Sequence, residues 1–178
     1  MPIPVGTYAQ MQAIALPGDQ LYFWDKNPFA YTIEGITGGP SHVIMVAQLP
    51  PFSDQLFEME ALIGYGCRIL PLSHYAGYTT RMLLCRRAVT PEDVTKAIGV
   101  GLEALGRQYE VEEEIQIALE KIAPWIHTDK TDNKLFCSGY LEYMFQVTSK
   151  PYAKPPNGNA TPAWCLDDKD TQPLLWVN

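Results

Sequence analysis

Gly38-Gly39-Pro40-Ser41-His42-Val43-Ile44-Met45-Val46-Ala47 is the stretch whose reading decides the fold. Gly-Gly-Pro cannot continue a helix, so the chain turns there. The run His42 to Ala47 is then apolar on both faces, the pattern of a central strand covered on two sides. Working outward, Gln20 to Trp24 reads as an earlier strand, entered through the turn signal Pro17-Gly18-Asp19. A short helix is expected near Phe29 to Ile36, closed by the same glycines. Beyond Pro50-Pro51, Leu56-Phe57-Glu58-Met59-Glu60-Ala61 alternates with period two, and Gly66 to Leu70 and Thr79 to Arg86 are further strand-like pieces.

Helical signals come later. Thr90-Pro91-Glu92-Asp93 combines a capping hydroxyl, a proline where a missing N–H costs nothing, and two carboxylates at the positive helix end. That helix is expected to run to about Leu105-Gly106, a second from about Glu112 to Ile122, and a third from Cys137 to about Gln146. The Pro/Gly/Asn-rich run from Lys150 to Pro162 reads as a surface loop. Strands first and helices after predict an α+β fold, a small antiparallel β-sheet packed against helices. A length of 178 residues suits one domain spanning 1–178.

Composition narrows the function. Hydrophobic residues are 47% and charged residues 19%, a globular balance. Thirteen Lys and Arg stand against 20 Asp and Glu, a net charge of −7 that repels phosphate backbones, so no nucleic-acid partner is expected. No stretch reaches the roughly 18 to 20 apolar residues of a membrane span. Met1-Pro2-Ile3-Pro4-Val5 lacks the basic and apolar regions of a signal peptide, so the expected location is cytoplasmic or phage-associated. The four cysteines (67, 85, 137 and 165) form no CxxC pair, which predicts free thiols rather than a disulfide framework or a zinc site. No phosphate-binding glycine motif occurs either, so no metal and no cofactor are expected.

Three places carry chemistry. His42 stands where a turn enters the buried strand, Glu58 and Glu60 share one face of the next strand, and Cys137 opens the late helix. A sulfur at a helix N-terminus faces unpaired N–H groups whose partial positive charge favours a developing anion. The same groups, Cys137's own amide among them, suit an oxyanion. Such a nucleophile needs an imidazole within reach, which His42 supplies, and a third group to orient it, Glu60 or Glu58. Each residue also has a plainer reading: Cys137 as a small core hydrophobe, His42 as a satisfied strand-edge residue, and the two glutamates as a solvated strand face. His74 and His127 lie in turn-like contexts; Cys67, Cys85 and Cys165 read as packing.

The order of short motifs adds a resemblance. Gly18-Asp19-Gln20-Leu21-Tyr22-Phe23, Ile36-Thr37-Gly38-Gly39-Pro40-Ser41-His42-Val43, Glu60-Ala61, Gly106-Arg107-Gln108-Tyr109, Phe136-Cys137-Ser138 and Thr161-Pro162-Ala163 follow one another along the chain. Together they resemble the circularly permuted NlpC-type papain-like cysteine hydrolases, the group containing the YiiX-like proteins and related to lecithin:retinol acyltransferase. The resemblance implies a permuted papain-like fold, Cys137 as nucleophile, His42 as base and Glu60 as the orienting acid, favoured over Glu58 because Ala61 follows it. It implies hydrolysis of an amide or ester bond through an acyl-enzyme, the substrate being a peptide, a bacterial cell-wall amide or an acyl-amide. The rivals are an acyltransferase and a non-catalytic binding or virion-structural protein that keeps the fold. Two departures from the family pattern concern substrate contacts: Gly139-Tyr140 replace an acidic and a branched residue, and Tyr109-Glu110 replaces the usual Tyr-Asp.

Overall fold

The computed structural model describes residues 2–26, 28–50, 52, 54–109, 135–155 and 160–178. In chain order the elements are β1 (Val5–Gly6), α1 (Tyr8–Ile14), β2 (Gln20–Trp24), α2 (Pro28–Thr37), β3 (His42–Gln48), β4 (Leu56–Leu62) and β5 (Gly66–Pro71). A 3-10 turn (Leu72–Tyr75), β6 (Arg81–Arg87), α3 (Pro91–Glu103), α4 (Cys137–Phe145), α5 (Pro162–Leu166) and β7 (Thr171–Val177) follow. The helix expected near 112–122 and His127 lie outside the described residues.

One seven-stranded sheet in the order β1-β7-β6-β2-β3-β4-β5 organises the chain, antiparallel except for the short β1–β7 pair. The α+β expectation therefore holds, with β3 interior to the sheet as its two-sided apolar run requires. β7 is an addition to the strands read from sequence. Its Pro173 donates nothing to a ladder, and β1 reaches only Trp176 and Val177, so the proline lies beside an open edge.

Alternation sorts side chains into two layers. Tyr22, Val43, Met45, Met59, Ala61, Leu83 and Cys85 meet the helical layer, which includes Ala97 of α3 and Tyr140, Leu141 and Met144 of α4. Leu21, Phe23, Ile44, Val46, Met82 and Leu84 face the other way, under Met11 of α1 and Leu72 and Tyr75 of the 3-10 turn. α3 begins as read: Thr90 accepts a hydrogen bond from the Asp93 N–H, with Pro91 in the first turn. Tyr140 donates from its hydroxyl to the Gly101 carbonyl at 2.7 Å, tying α4 to α3. No helix among the described residues is long and apolar enough to cross a membrane.

Candidate active site

Register sets up the site. Phe23 of β2 pairs with His42, so the histidine opens β3 beside the end of β2. The Ser41 N–H donates to the Phe23 carbonyl at 2.8 Å, and the Ser41 hydroxyl donates to the same oxygen at 3.1 Å, fixing the approach to the strand. Gly39 has a packing reason as well: a Cβ there would lie 2.5 Å from the Ala163 Cβ of α5. The glycine turn that stops α2 thus also seats the loop before His42.

Glu60 lies two residues further toward the interior on the neighbouring strand, opposite Arg68 of β5. Its Oε2 is 2.7 Å from His42 Nε2 and accepts from the Tyr75 hydroxyl at 2.7 Å. Its Oε1 accepts from Arg68 Nε at 2.7 Å. Burial by itself would raise the Glu60 pKa, but the bonds from His42, Tyr75 and Arg68 outweigh it and lower the value to about 2. Glu60 is therefore a fixed anion at neutral pH.

Cys137 is the first residue of α4 and only 3% exposed. Phe136, at the cap position, supplies no side-chain acceptor, so the first-turn N–H groups beside the sulfur have no cap to satisfy them. Ser138 donates to the Ala160 carbonyl at 3.1 Å, which anchors the helix start to the segment leading into α5. Gly139 answers one departure from the family pattern: a Cβ at this position would meet the Phe136 ring at 2.8 Å. Tyr140, the second residue of that same departure, is fully buried and bonded to Gly101, while Glu110 of the other lies outside the described residues.

His42 joins the two halves. Its Nε2 is engaged by Glu60, and Cys137 is the other group close enough to act on the ring. Desolvation opposes a charged ring, but the Cys137 and Glu60 interactions prevail and raise the imidazole pKa to about 10. The ring stands against Phe23, with centroids 5.6 Å apart, and Phe23 in turn against Tyr75 at 4.6 Å. Cys137 belongs to the helical layer while Glu60 points to the Tyr75 side, so the histidine bridges the layers at the end of the sheet.

The structure thus brings Cys137, His42 and Glu60 together. Glu58 is apart from them, and the reading of the two glutamates as a solvated face is corrected: both are fully buried beneath the 3-10 turn and α1. Among the described residues Glu58 finds no hydrogen-bond partner for either oxygen, and burial, reinforced by nearby Glu60, raises its pKa to about 9. Arg68 and Tyr75 are the site residues that sequence reading did not single out. His74 packs its ring against Tyr75 and Tyr78. Asp19 of the Gly-Asp motif is structural, holding Arg86 through two bonds of 2.8 Å. Cys67, Cys85 and Cys165 are buried free thiols, as their apolar contexts predict.

No family model and no curated protein matches the chain by sequence. The fold is similar to that in the crystal structure of metalloprotein yiiX from Escherichia coli O157:H7, DUF1105. The TM-score is 0.68 at 13% identity, with 89% of this chain and 95% of that chain covered.

Proposed function

We propose that the chain is a thiol-dependent hydrolase of the papain-like type, cleaving an amide or ester bond. The observation that carries this reading is the imidazole held between Cys137 and Glu60 at the open end of a helix. Glu60 fixes the ring and favours its protonated form, so the proton that Cys137 gives up to attack rests on His42. The sulfur then bonds to the substrate carbonyl carbon, and the oxyanion rests on the α4 N-terminus, Cys137's amide included. Collapse breaks the bond to the amine or alcohol, which leaves with the proton from His42. Water cleaves the thioester in turn, returning the acid product and the free thiol.

The near-complete burial of Cys137 favours a second outcome of the same acyl-enzyme, transfer to an amine or alcohol instead of water. An added amine that captures the acyl group in place of hydrolysis identifies it. YiiX is a metalloprotein, but no group of three or more His, Cys, Asp and Glu among the described residues here is placed to hold a metal ion. His42 and Glu60 are spent on each other and on Tyr75 and Arg68. Among the described residues, His42 and Glu60 therefore do not form a metal's donor set.

The test is turnover of peptidoglycan fragments and N-acyl amino acids by the native protein and Cys137→Ser. Activity is expected to fall by about a thousandfold or more in the variant; activity that survives it sinks the mechanism.

A further inference from the structure

Arg81, the first residue of β6, is paired across the sheet with Trp24, the last of β2. Its guanidinium lies 3.8 Å from the ring centroid of Trp176 and 6.0 Å from that of Trp24, the two indoles being 5.0 Å apart. Arg68, Arg86 and Arg87 each hold a carboxylate. Arg81 is exposed and, among the described residues, holds none. Stacking uses the flat face of a guanidinium and leaves its N–H edge outward, the geometry that grips an oxyanion with two parallel bonds.

The position of this edge relates it to the site. Alternation puts Trp24 and Arg81 on the face of Tyr22 and Leu83, the helical side on which Cys137 is buried. Register puts them at the end of the sheet where β3 begins, because Phe23 pairs with both His42 and Met82. Arg81 therefore stands two strands from His42, about 10 Å away across the sheet. Trp24, Trp164 and Trp176 pack against the same core cluster that contains Cys137.

From this juxtaposition we infer that Arg81 holds an oxyanion, a carboxylate or a phosphate, on the acyl part of the substrate, several bonds from the carbonyl that Cys137 attacks. The inference rests on the hydrolase reading and specifies its substrate: an acyl chain whose far end is acidic.

The experiment compares the p-nitrophenyl monoester of suberic acid, the methyl ester of that compound, and a phosphate-ended octanoate ester as substrates of the full chain. The native protein is expected to favour an anion-ended ester over the methyl ester by roughly tenfold or more in kcat/KM, as a charge-assisted bond would give. The better of the two anions identifies the group held. Arg81→Gln should bring both anionic esters down to the methyl ester while leaving the methyl ester's own rate and the unfolding midpoint unchanged. Arg81→Lys, which keeps the charge but loses the fork, should fall between. A preference below about twofold, or one that survives in Arg81→Gln, overturns the inference. Absence of turnover on every ester would count against the hydrolase alone. Tryptophan fluorescence of Cys137→Ser, titrated with monomethyl suberate and with the phosphate-ended acid, then decides the binding site. A response lost in Cys137→Ser/Arg81→Gln upholds it, and no response to either anion overturns it.

Discussion

Glu58 and Glu60 leave the same face of β4 for the same buried space, yet among the described residues Glu60 has three hydrogen-bonding neighbours and Glu58 has none. The difference lies in what stands opposite each. Glu60 pairs across the sheet with Arg68, and Glu58 with Leu70. One carboxyl is consequently held as an anion, with a pKa of about 2, and the other as a neutral acid, with a pKa of about 9.

Glu58 should make the fold pH-sensitive. Its carboxyl is neutral in the folded chain and ionises in the unfolded chain above about pH 4.5, so folding stability falls as pH rises from there to about 9. His42, with its pKa raised to about 10, adds a loss in the upper part of that window, from about pH 6.5. Glu58→Met removes the first contribution and leaves the second. Denaturant unfolding at pH 5, 7 and 9 should show the variant gaining on the native protein as pH rises, by on the order of 3 kcal/mol at pH 7. Parallel stability curves for the two proteins would refute a buried neutral acid.

Glu60→Gln should move the titration of His42. With the carboxylate gone, desolvation is opposed by Cys137 alone, so the imidazole pKa should drop from about 10 by at least about one unit. The ring-proton shifts of His42 across a pH series measure this directly. Iodoacetamide labelling of Cys137 should slow in the same variant and slow further in His42→Ala. Unchanged titration would mean that Glu60 does not govern the ring.

Much of this architecture was legible in the chain because it depends on local pattern. The turn before His42, the two-sided run of β3, the alternation of β4 and the Thr90 cap each announce themselves within a few residues. β7 escaped because Pro173 interrupts a segment whose other residues do not alternate, and the register shifts where it pairs with β6. α1 escaped by its brevity, although the Thr7–Gln10 capping box marks its start. Within the site, the order of His42, Glu60 and Cys137 was readable. The roles of Arg68 and Tyr75 depend on cross-strand register and on a 3-10 turn folding back, which no local pattern encodes. The burial of Glu58 and Glu60 was left open for the same reason: a period-two strand looks identical whether water or a second layer covers its polar face.

Gly139→Ala should harm the nucleophile helix without removing any functional group. The new methyl would press on the Phe136 ring at 2.8 Å, immediately before Cys137. Relief requires moving that ring or the first turn of α4, at a cost of about 1–3 kcal/mol. Unfolding should report that loss, and Cys137 labelling should fall in the folded variant. Gly35→Ala, where a Cβ meets nothing within 4 Å, serves as the control and should label as the native protein does. Equal behaviour of the two variants would show that the Phe136–Gly139 contact is slack.

Arg68→Met should uncouple Glu60 from its cation while leaving His42 and Tyr75 in place. Arg68 approaches Glu60 Oε1 at 2.5 Å through one guanidinium nitrogen and 2.7 Å through Nε, and the carboxylate has no exposure to water. Breaking such a pair from one side leaves a buried charge short of partners and costs about 3 kcal/mol, less whatever solvent reaches the partly exposed arginine. The pH dependence gives the signature. The lowered Glu60 pKa contributes stability that is present above about pH 4.5 and is lost as pH falls toward 2. In Arg68→Met the Glu60 pKa should rise, so the penalty relative to the native protein is largest at pH 7 and shrinks toward pH 3. A penalty that is constant across this range would assign Arg68 a packing role against Tyr65, whose ring it also covers at 4.5 Å, in place of the electrostatic one.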